Sequence, residues 1–209
     1  MGQIICNTET ATNKEKILYT AIELFSQKGY SCVSMREIAA SVGIKAASIY
    51  NHYKNKEAIL EEIMLYFRQQ LHEHVYPAFD LEDNLDIREF IKKLTRSNDT
   101  FFSDPLYAQI GSIILQEQFQ NKKIRQMLLE ELIRYPREKI SSYFERLILA
   151  GKMRALDPML AAKEYHSFYI SEFYENSLSQ SMDSSSAMQQ EAEREEHVRL
   201  FLETWIIEN

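Results

Sequence analysis

The chain has 209 residues, 45% of them hydrophobic and 26% charged, with a net charge of -7 and only two cysteines. That is ordinary globular composition, enough for one large domain or two small ones. It excludes a disulfide framework or a cysteine-based zinc site, and no apolar run approaches the roughly 18–20 residues of a membrane span.

The N-terminus, MGQIICNTETATNKEK, lacks the basic-then-apolar layout of a signal peptide, and Cys6 stands where a myristoylation motif wants Ser or Thr. These features predict a cytoplasmic protein without a membrane partner. Charge is unevenly distributed. Residues 1–56 hold seven Lys/Arg and four Glu, a net +3, while the remainder holds 17 basic and 27 acidic residues, a net -10. A basic head on an acidic body implies an anionic partner for the head alone.

Helix-spaced apolar sets recur along the chain and strand-like alternation does not, so the pattern predicts an all-α protein of about nine helices. The first spans about 11–28, with Ile17, Ala21, Leu24 and Phe25 inward, and stops at Gly29. Cys32 then packs as a small hydrophobe. The second spans about 35–42, with Ser34 and Glu37 as a capping box and Gly43 at its end. A third spans about 45–51 and a fourth about 56–76, capped by Asn55 and ended by Pro77. The fifth covers 86–103, using Ile87, Phe90, Ile91 and Leu94. The sixth covers 105–118, entered through Asp104-Pro105. The seventh covers 122–150, kinked near Pro136. The eighth covers 158–178, entered through Asp157-Pro158 after Gly151. The serine-rich SLSQSMDSSS reads as a mobile linker. The ninth covers 187–207, with Val198, Phe201, Leu202, Trp205 and Ile206 as one stripe.

The stretch GIKAASIYNHYKNK, residues 43–56, carries most of the functional signal. Two short helices around Gly43 make a helix-turn-helix arrangement. Ile38, Ala39, Val42, Ile44 and Ile49 are spaced to pack the pair together, and Ala39 and Ala40 are small where the helices approach. The outer face then shows Lys45, Ala46, Ala47, Tyr50 and Asn51. Small residues let a backbone come close to a major groove about 12 Å wide, and an alanine methyl packs on a thymine methyl. Lys45 reaches a guanine edge or a phosphate, and Asn51 an adenine or a phosphate. Tyr50 and His52 donate to phosphates, and Lys56 adds charge beside helix N–H groups that favour an anion. The plainer alternative is a solvated amphipathic helix with a buried tyrosine.

Residues 14–60 closely resemble the tetracycline-repressor (TetR) family of bacterial transcriptional regulators. Ile17–Ala21–Leu24-Phe25 followed by Gly29-Tyr30 resembles the family's first helix and its exit. Ser34-Met35-Arg36-Glu37-Ile38-Ala39 resembles the second. Gly43-Ile44, Ile49-Tyr50, His52-Tyr53 and Lys56-Glu57-Ala58-Ile59-Leu60 are similar to the third-to-fourth helix signature. The resemblance implies a homodimer with an N-terminal DNA-binding domain, residues 1–55, and a larger helical domain for ligand binding and dimerisation, residues 56–209. It implies a repressor that leaves a palindromic double-stranded operator when a small molecule binds. Family DNA contacts fall by matched position on Ser34, Lys45, Ala46, Ala47, Tyr50, Asn51, His52 and Lys56. Lys45 departs from the pattern, standing where the family usually has a Ser or Thr helix cap.

Beyond residue 60 only the layout matches. Arg154-Ala155-Leu156-Asp157-Pro158 with Ala161-Ala162 is similar to a common family entry into the eighth helix. The resemblance implies that the last two long helices form the dimer interface, which leaves Tyr165, Phe168, Tyr169 and Phe173, with Val198, Phe201, Leu202 and Trp205, as the apolar surfaces available. Packing within the subunit is the alternative. A mostly apolar effector, aromatic or cationic, has candidate contacts in Phe67, Phe90, Phe101, Phe102, Tyr107, Phe119, Tyr143, Phe144 and Tyr169. Gln109, Gln116 and His166 are candidates to orient it. Aromatics at helical spacing also serve simply as core.

An enzyme is not expected, since the chain has no Gly-rich phosphate loop and no serine nucleophile elbow. No cofactor or metal is expected either. His72 and His74 are two residues apart and face different directions on a helix, whereas a metal pair wants i, i+4. A helical dimer whose head binds a protein is the rival, and salt dependence separates it from a DNA binder.

Overall fold

The structure is a computed structural model that describes residues 11–80, 86–155, 157–178 and 184–207. Cys6, Leu156 and the centre of the serine-rich segment lie outside the described residues. The chain is all-α as expected. The helices are α1 (Asn13–Lys28), α2 (Met35–Val42), α3 (Lys56–Gln70), α4 (Ile87–Phe102), α5 (Pro105–Glu117), α6 (Lys122–Met127), α7 (Tyr135–Leu149), α8 (Pro158–Leu178) and α9 (Ser184–Trp205). Extended pairing among the described residues is confined to one antiparallel bridge, Met153 with Ile206. No described helix is long and apolar enough to cross a membrane.

The residues form two compact units. One holds the chain up to Pro77 together with Arg96–Gln126, and the other holds Ala78–Thr95 together with the chain from Met127 onward. In the first unit α1 packs on α2, α3 and α5. Ile17, Ala21, Leu24 and Phe25, the inward face expected of α1, are all buried, and Ile38, Ile49, Ile59, Ile63 and Phe67 complete that core. In the second, α7 packs along α8. Ile87, Phe90, Ile91 and Leu94 join Phe144, Leu147, Ala161, Ala162, Tyr165, Phe201 and Leu202 in one cluster, with Val198, Trp205 and Ile206 against its edge. The Arg194 Nε donates to both Glu172 carboxylate oxygens, at 2.6 and 2.8 Å, tying α9 to α8.

The expected caps are present. The Asn55 Oδ1 accepts from the Ala58 amide at 2.9 Å, Asp104 from Leu106 at 2.8 Å and Asp157 from Met159 at 2.8 Å. Each fills an acceptor role that the first turn of a helix leaves open. At α2 only half of the expected capping box forms. Ser34 Oγ accepts from the Glu37 amide at 3.2 Å, but the Glu37 carboxylate turns to Lys28 Nζ, 2.6 Å away. That ion pair holds its carboxyl below the usual range. A full box instead opens α1, between Thr12 and Glu15.

Four helix expectations are corrected. Residues 45–51 do not form an α-helix; Ser48–Asn51 is one 3-10 turn. Lysine at position 45 offers no side-chain acceptor to cap the exposed N–H groups, and the segment tightens to i→i+3 bonds such as Ser48 N–H to Lys45 O at 2.8 Å. The helix from Lys56 is regular only to Gln70 and then widens over Leu71–Val75. The helix expected over 122–150 is broken by a similar wide stretch, Leu128–Arg134. Both wide stretches end two residues before a proline. Tyr76 N–H bonds back to Leu71 O before Pro77, and Tyr135 N–H to Glu130 O before Pro136. A proline supplies no N–H and its ring crowds the carbonyl four residues back, so the turn ahead of it opens to i→i+5. Finally, α9 begins at Ser184, three residues earlier than expected. Cys32 is exposed in the α1–α2 loop, because Val33 beside it takes the inward position. Ala40 is exposed as well, whereas Ala39 is buried at the α2 contact.

Candidate nucleic-acid interface

α2 ends at Gly43, whose N–H bonds back to Ala39 and Ala40 and whose backbone turns through φ 79°. The chain then reverses, and two apolar anchors fix the segment after it. Ile49 is fully buried, and Tyr53 is 3% exposed. With Ile49 and Tyr53 turned inward, Tyr50, Asn51 and His52 between them face outward, Tyr50 at 54%, and Lys45, Ala46 and Ala47 just before the first anchor are exposed as well. Ser34 is exposed at the start of α2. Arg36 and Lys54, which the sequence pattern did not single out, are exposed basic residues on flanking segments.

This turn presents two methyl groups, a phenol, an amide, an imidazole and an ammonium on a backbone that nothing bulky shields. Such a surface can approach a groove closely at its small residues and grip phosphates with its polar ones.

Lys56 is placed differently. Its Nζ donates to the carbonyl oxygens of Tyr30 (2.6 Å), Val33 (2.8 Å) and Ser31 (3.3 Å), and it sits 4.3 Å from the centre of the Tyr30 ring. The ammonium closes the α1–α2 loop onto the start of α3. Lys14 makes a second such link, to Glu62 at 2.6 Å and over the Tyr53 ring at 5.5 Å. Neither link was visible in the sequence.

The residues named for effector binding divide between the units. Phe67, Phe101, Phe102, Tyr107, Gln109, Gln116 and Phe119 belong to the first. There Tyr107 stacks on Phe101 at 4.1 Å and donates its hydroxyl to Gln70 Oε1 at 2.7 Å. Phe67 lies 5.8 Å from Phe101, and Phe102 meets Phe101 edge-on at 5.1 Å. Gln116 donates to Ser112 at 3.1 Å, and Gln109 Oε1 is buried with no hydrogen-bond partner. Phe119 is 77% exposed, so it lines no apolar interior.

Phe90, Tyr143, Phe144, His166 and Tyr169 belong to the second unit. Phe90 lies against Tyr143 at 4.0 Å, and Phe144 is fully buried. Burial pushes the Tyr143 phenol up to about 12. Tyr169 shares a 3.2 Å hydroxyl contact with Tyr165. His166 is buried, and burial first, then the Arg137 charge, pushes its imidazole down to about 4. Among the described residues no three His, Cys, Asp or Glu side chains gather as a metal site.

Of the side chains named for dimerisation, Phe201 and Leu202 turn into the second unit's own core, 3% and 8% exposed. Phe168 is half-buried, stacked on the His197 ring at 4.3 Å. Phe173, Val198 and Trp205 are also half-buried. Among the described residues of α8 and α9, the large apolar side chains that do face outward are Leu160, Tyr174 and Leu200.

Comparison with known proteins matches both parts of the chain. Residues 17–63 match the family described as bacterial regulatory proteins, tetR family, and residues 89–205 match the AefR-like transcriptional repressor C-terminal domain. The biofilm operon icaADBC HTH-type negative transcriptional regulator IcaR of Staphylococcus aureus (strain Newman) is 31% identical over 155 residues, covering 65% of this chain and 78% of IcaR. A TetR-family transcriptional regulator from Mesorhizobium loti superposes with a TM-score of 0.72 at 21% identity, covering 93% of this chain and 97% of that one. SmeT in its triclosan complex superposes with a TM-score of 0.73 at 16% identity, covering 94% and 93%. SmeT is the repressor of the Stenotrophomonas maltophilia multidrug efflux pump SmeDEF. At these identities the two structures share the fold.

Proposed function

The chain belongs to the tetR family of bacterial regulatory proteins, a family of DNA-binding transcription factors rather than enzymes, and on that footing we propose that it is a repressor. Residues 1–55 serve as the DNA-binding head and 56–209 as the body for effector binding and dimerisation. The observation that carries the reading is the turn over Lys45–His52. It exposes small, aromatic, amide and basic side chains together, on a head whose net charge is opposite to that of the body.

Ser34, Lys45, Ala46, Ala47, Tyr50, Asn51 and His52 contact the operator in this reading, and Lys56 supports them from behind by fixing the loop beside them. Two heads in a homodimer reach successive major grooves about 34–36 Å apart, or a multiple of it, so the operator is palindromic. IcaR is named as a negative regulator, which favours repression here. The dimer forms through α8 and α9, where Leu160, Tyr174 and Leu200 with the half-buried Phe168, Phe173, Val198 and Trp205 supply apolar surface. The protein works in the cytoplasm, where its operator is.

A small, mostly apolar effector releases the DNA. It binds one arrangement of the two heads more tightly than the other and lowers operator affinity by that difference. The triclosan bound in SmeT supports a small-molecule effector for a protein of this fold.

Selection of binding sites from random duplex DNA by the purified protein tests the reading. A palindrome should emerge from wild type and not from a Tyr50→Ala/Lys45→Ala variant of unchanged melting temperature. No enriched sequence, or the same palindrome from the variant, overturns it.

A further inference from the structure

Tyr53 closes the exposed turn. Its N–H and that of His52 both bond to Ile49 O at 3.0 Å, so its ring is tied directly to the backbone that carries Tyr50, Asn51 and His52. The ring is buried, and its hydroxyl has no hydrogen-bond partner among the described residues. No polar contact at the tip therefore fixes how the ring sits. Lys14 acts on it from the side. Its Nζ lies 5.5 Å from the ring centre and 2.6 Å from Glu62 Oε1. A cation within about 6 Å of an aromatic face is attracted to it.

Both charged residues stand on fixed backbone. The Thr12–Glu15 capping box orders the first turn of α1, which holds Lys14. Glu62 stands on α3 beside the buried Ile63. Both side chains are part-exposed, and an exposed ion pair alone contributes little to stability. Here, however, one ammonium joins α1, α3 and the anchor of the turn. A lysine near a DNA-binding surface would ordinarily be read as a phosphate contact. This one is already engaged by a carboxylate and a ring.

We propose that Lys14 and Glu62 are positioning residues for operator recognition: they fix the Tyr53 ring, and through it the aim of Tyr50, Asn51 and His52, without touching DNA. The proposal rests on the DNA-reading role of the turn given above. Its sign is diagnostic. By charge alone, removing the Glu62 anion should tighten DNA binding. By position, the same change should weaken the specific complex.

The test uses the full-length protein, with fluorescence anisotropy on the selected operator and on a scrambled duplex of equal length, well below every variant's melting temperature. Glu62→Gln should weaken operator binding by about 3-fold or more and leave scrambled-duplex binding unchanged or tighter, so the specificity ratio falls. Lys14→Met should lower that ratio as well, with the salt slope of operator binding unchanged. Lys14→Arg keeps a cation between the carboxylate and the ring and should restore the ratio. In nitrogen-15 spectra of the free protein, the amide signals of Tyr50, Asn51 and His52 should shift in Glu62→Gln.

Tighter operator binding or an unchanged ratio in Glu62→Gln overturns the proposal. A salt slope shallower by about one contact in Lys14→Met also overturns it and makes Lys14 a phosphate contact. So do amide signals that stay in place. A wild-type protein that prefers no sequence removes the DNA-reading role itself. The amide signals, read without DNA, then still decide whether the pair holds the turn.

Discussion

The ammonium of Lys56 lies 4.3 Å from the centre of the Tyr30 ring and donates to the Tyr30 carbonyl oxygen at 2.6 Å. With the Val33 and Ser31 carbonyls it closes a loop whose ends belong to two helices. Hydrogen bonds from a charged donor contribute more than neutral ones, but the group is only part-buried. Lys56→Ala should therefore lower stability by about 1–2 kcal/mol. Lys45→Ala, on an exposed turn, should leave stability nearly unchanged and weaken DNA binding. Thermal unfolding of both variants, set beside their operator affinities, checks the division of labour. Equal melting temperatures for wild type and Lys56→Ala would remove the clamp.

That clamp also marks the limit of what the sequence could show. Sequence spacing made Asn55, Asp104 and Asp157 legible as caps, because a cap and its partner lie two or three residues apart. The faces of α1 and α4 were legible for the same reason, through Ile17–Phe25 and Ile87–Leu94. Lys56 and its carbonyl partners are separated by 23–26 residues, and no local pattern encodes them. Apolar stripes do not say which neighbour they meet: Phe201 and Leu202 turned to their own core, and Phe119 faced outward. The turn at 45–51 kept its exposed residues but lost its α-helix, through the one departure from the family pattern, Lys45. Where Pro77 and Pro136 interrupt a helix, their positions were readable and the widened turns ahead of them were not.

Gly43 joins α2 to the exposed turn with φ 79° and ψ 26°, the left-handed region. A Cβ there would meet nothing within 4 Å, so any penalty for adding one is conformational rather than steric. Gly43→Ala should cost about 1 kcal/mol, and Gly43→Asn less, since asparagine tolerates this region better. Chemical denaturation of the three proteins gives the order directly. A variant with alanine as stable as wild type would contradict the assigned backbone.

His166 gives the second unit a pH dependence whose sign is fixed. Its folded value is pushed down to about 4 from an ordinary 6.5, so the unfolded chain takes up its proton first. Stability is full above about 6.5 and is lost as pH falls toward 4. His197, stacked on Phe168, is also lowered by burial and acts in the same direction. Between pH 7 and pH 5 the His166 contribution should fall by about 2 kcal/mol. Denaturation midpoints across that range should slope less steeply in His166→Gln than in wild type. Identical slopes would mean that His166 is not held neutral.

The central claim is that the Lys45–His52 turn grips DNA. Fluorescence anisotropy of a labelled operator duplex, titrated with wild type and with Lys45→Ala across a series of salt concentrations, tests it most directly. Each phosphate contact contributes about -0.9 to the slope of log affinity against log salt. If Lys45 holds a phosphate, its removal should make the slope shallower by about one contact, while Tyr50→Ala, which removes a neutral phosphate donor, should weaken operator affinity and keep the slope and the sequence preference. An operator affinity left unchanged in both variants, with the wild-type salt slope in Lys45→Ala, would contradict the account and place the DNA-binding surface elsewhere.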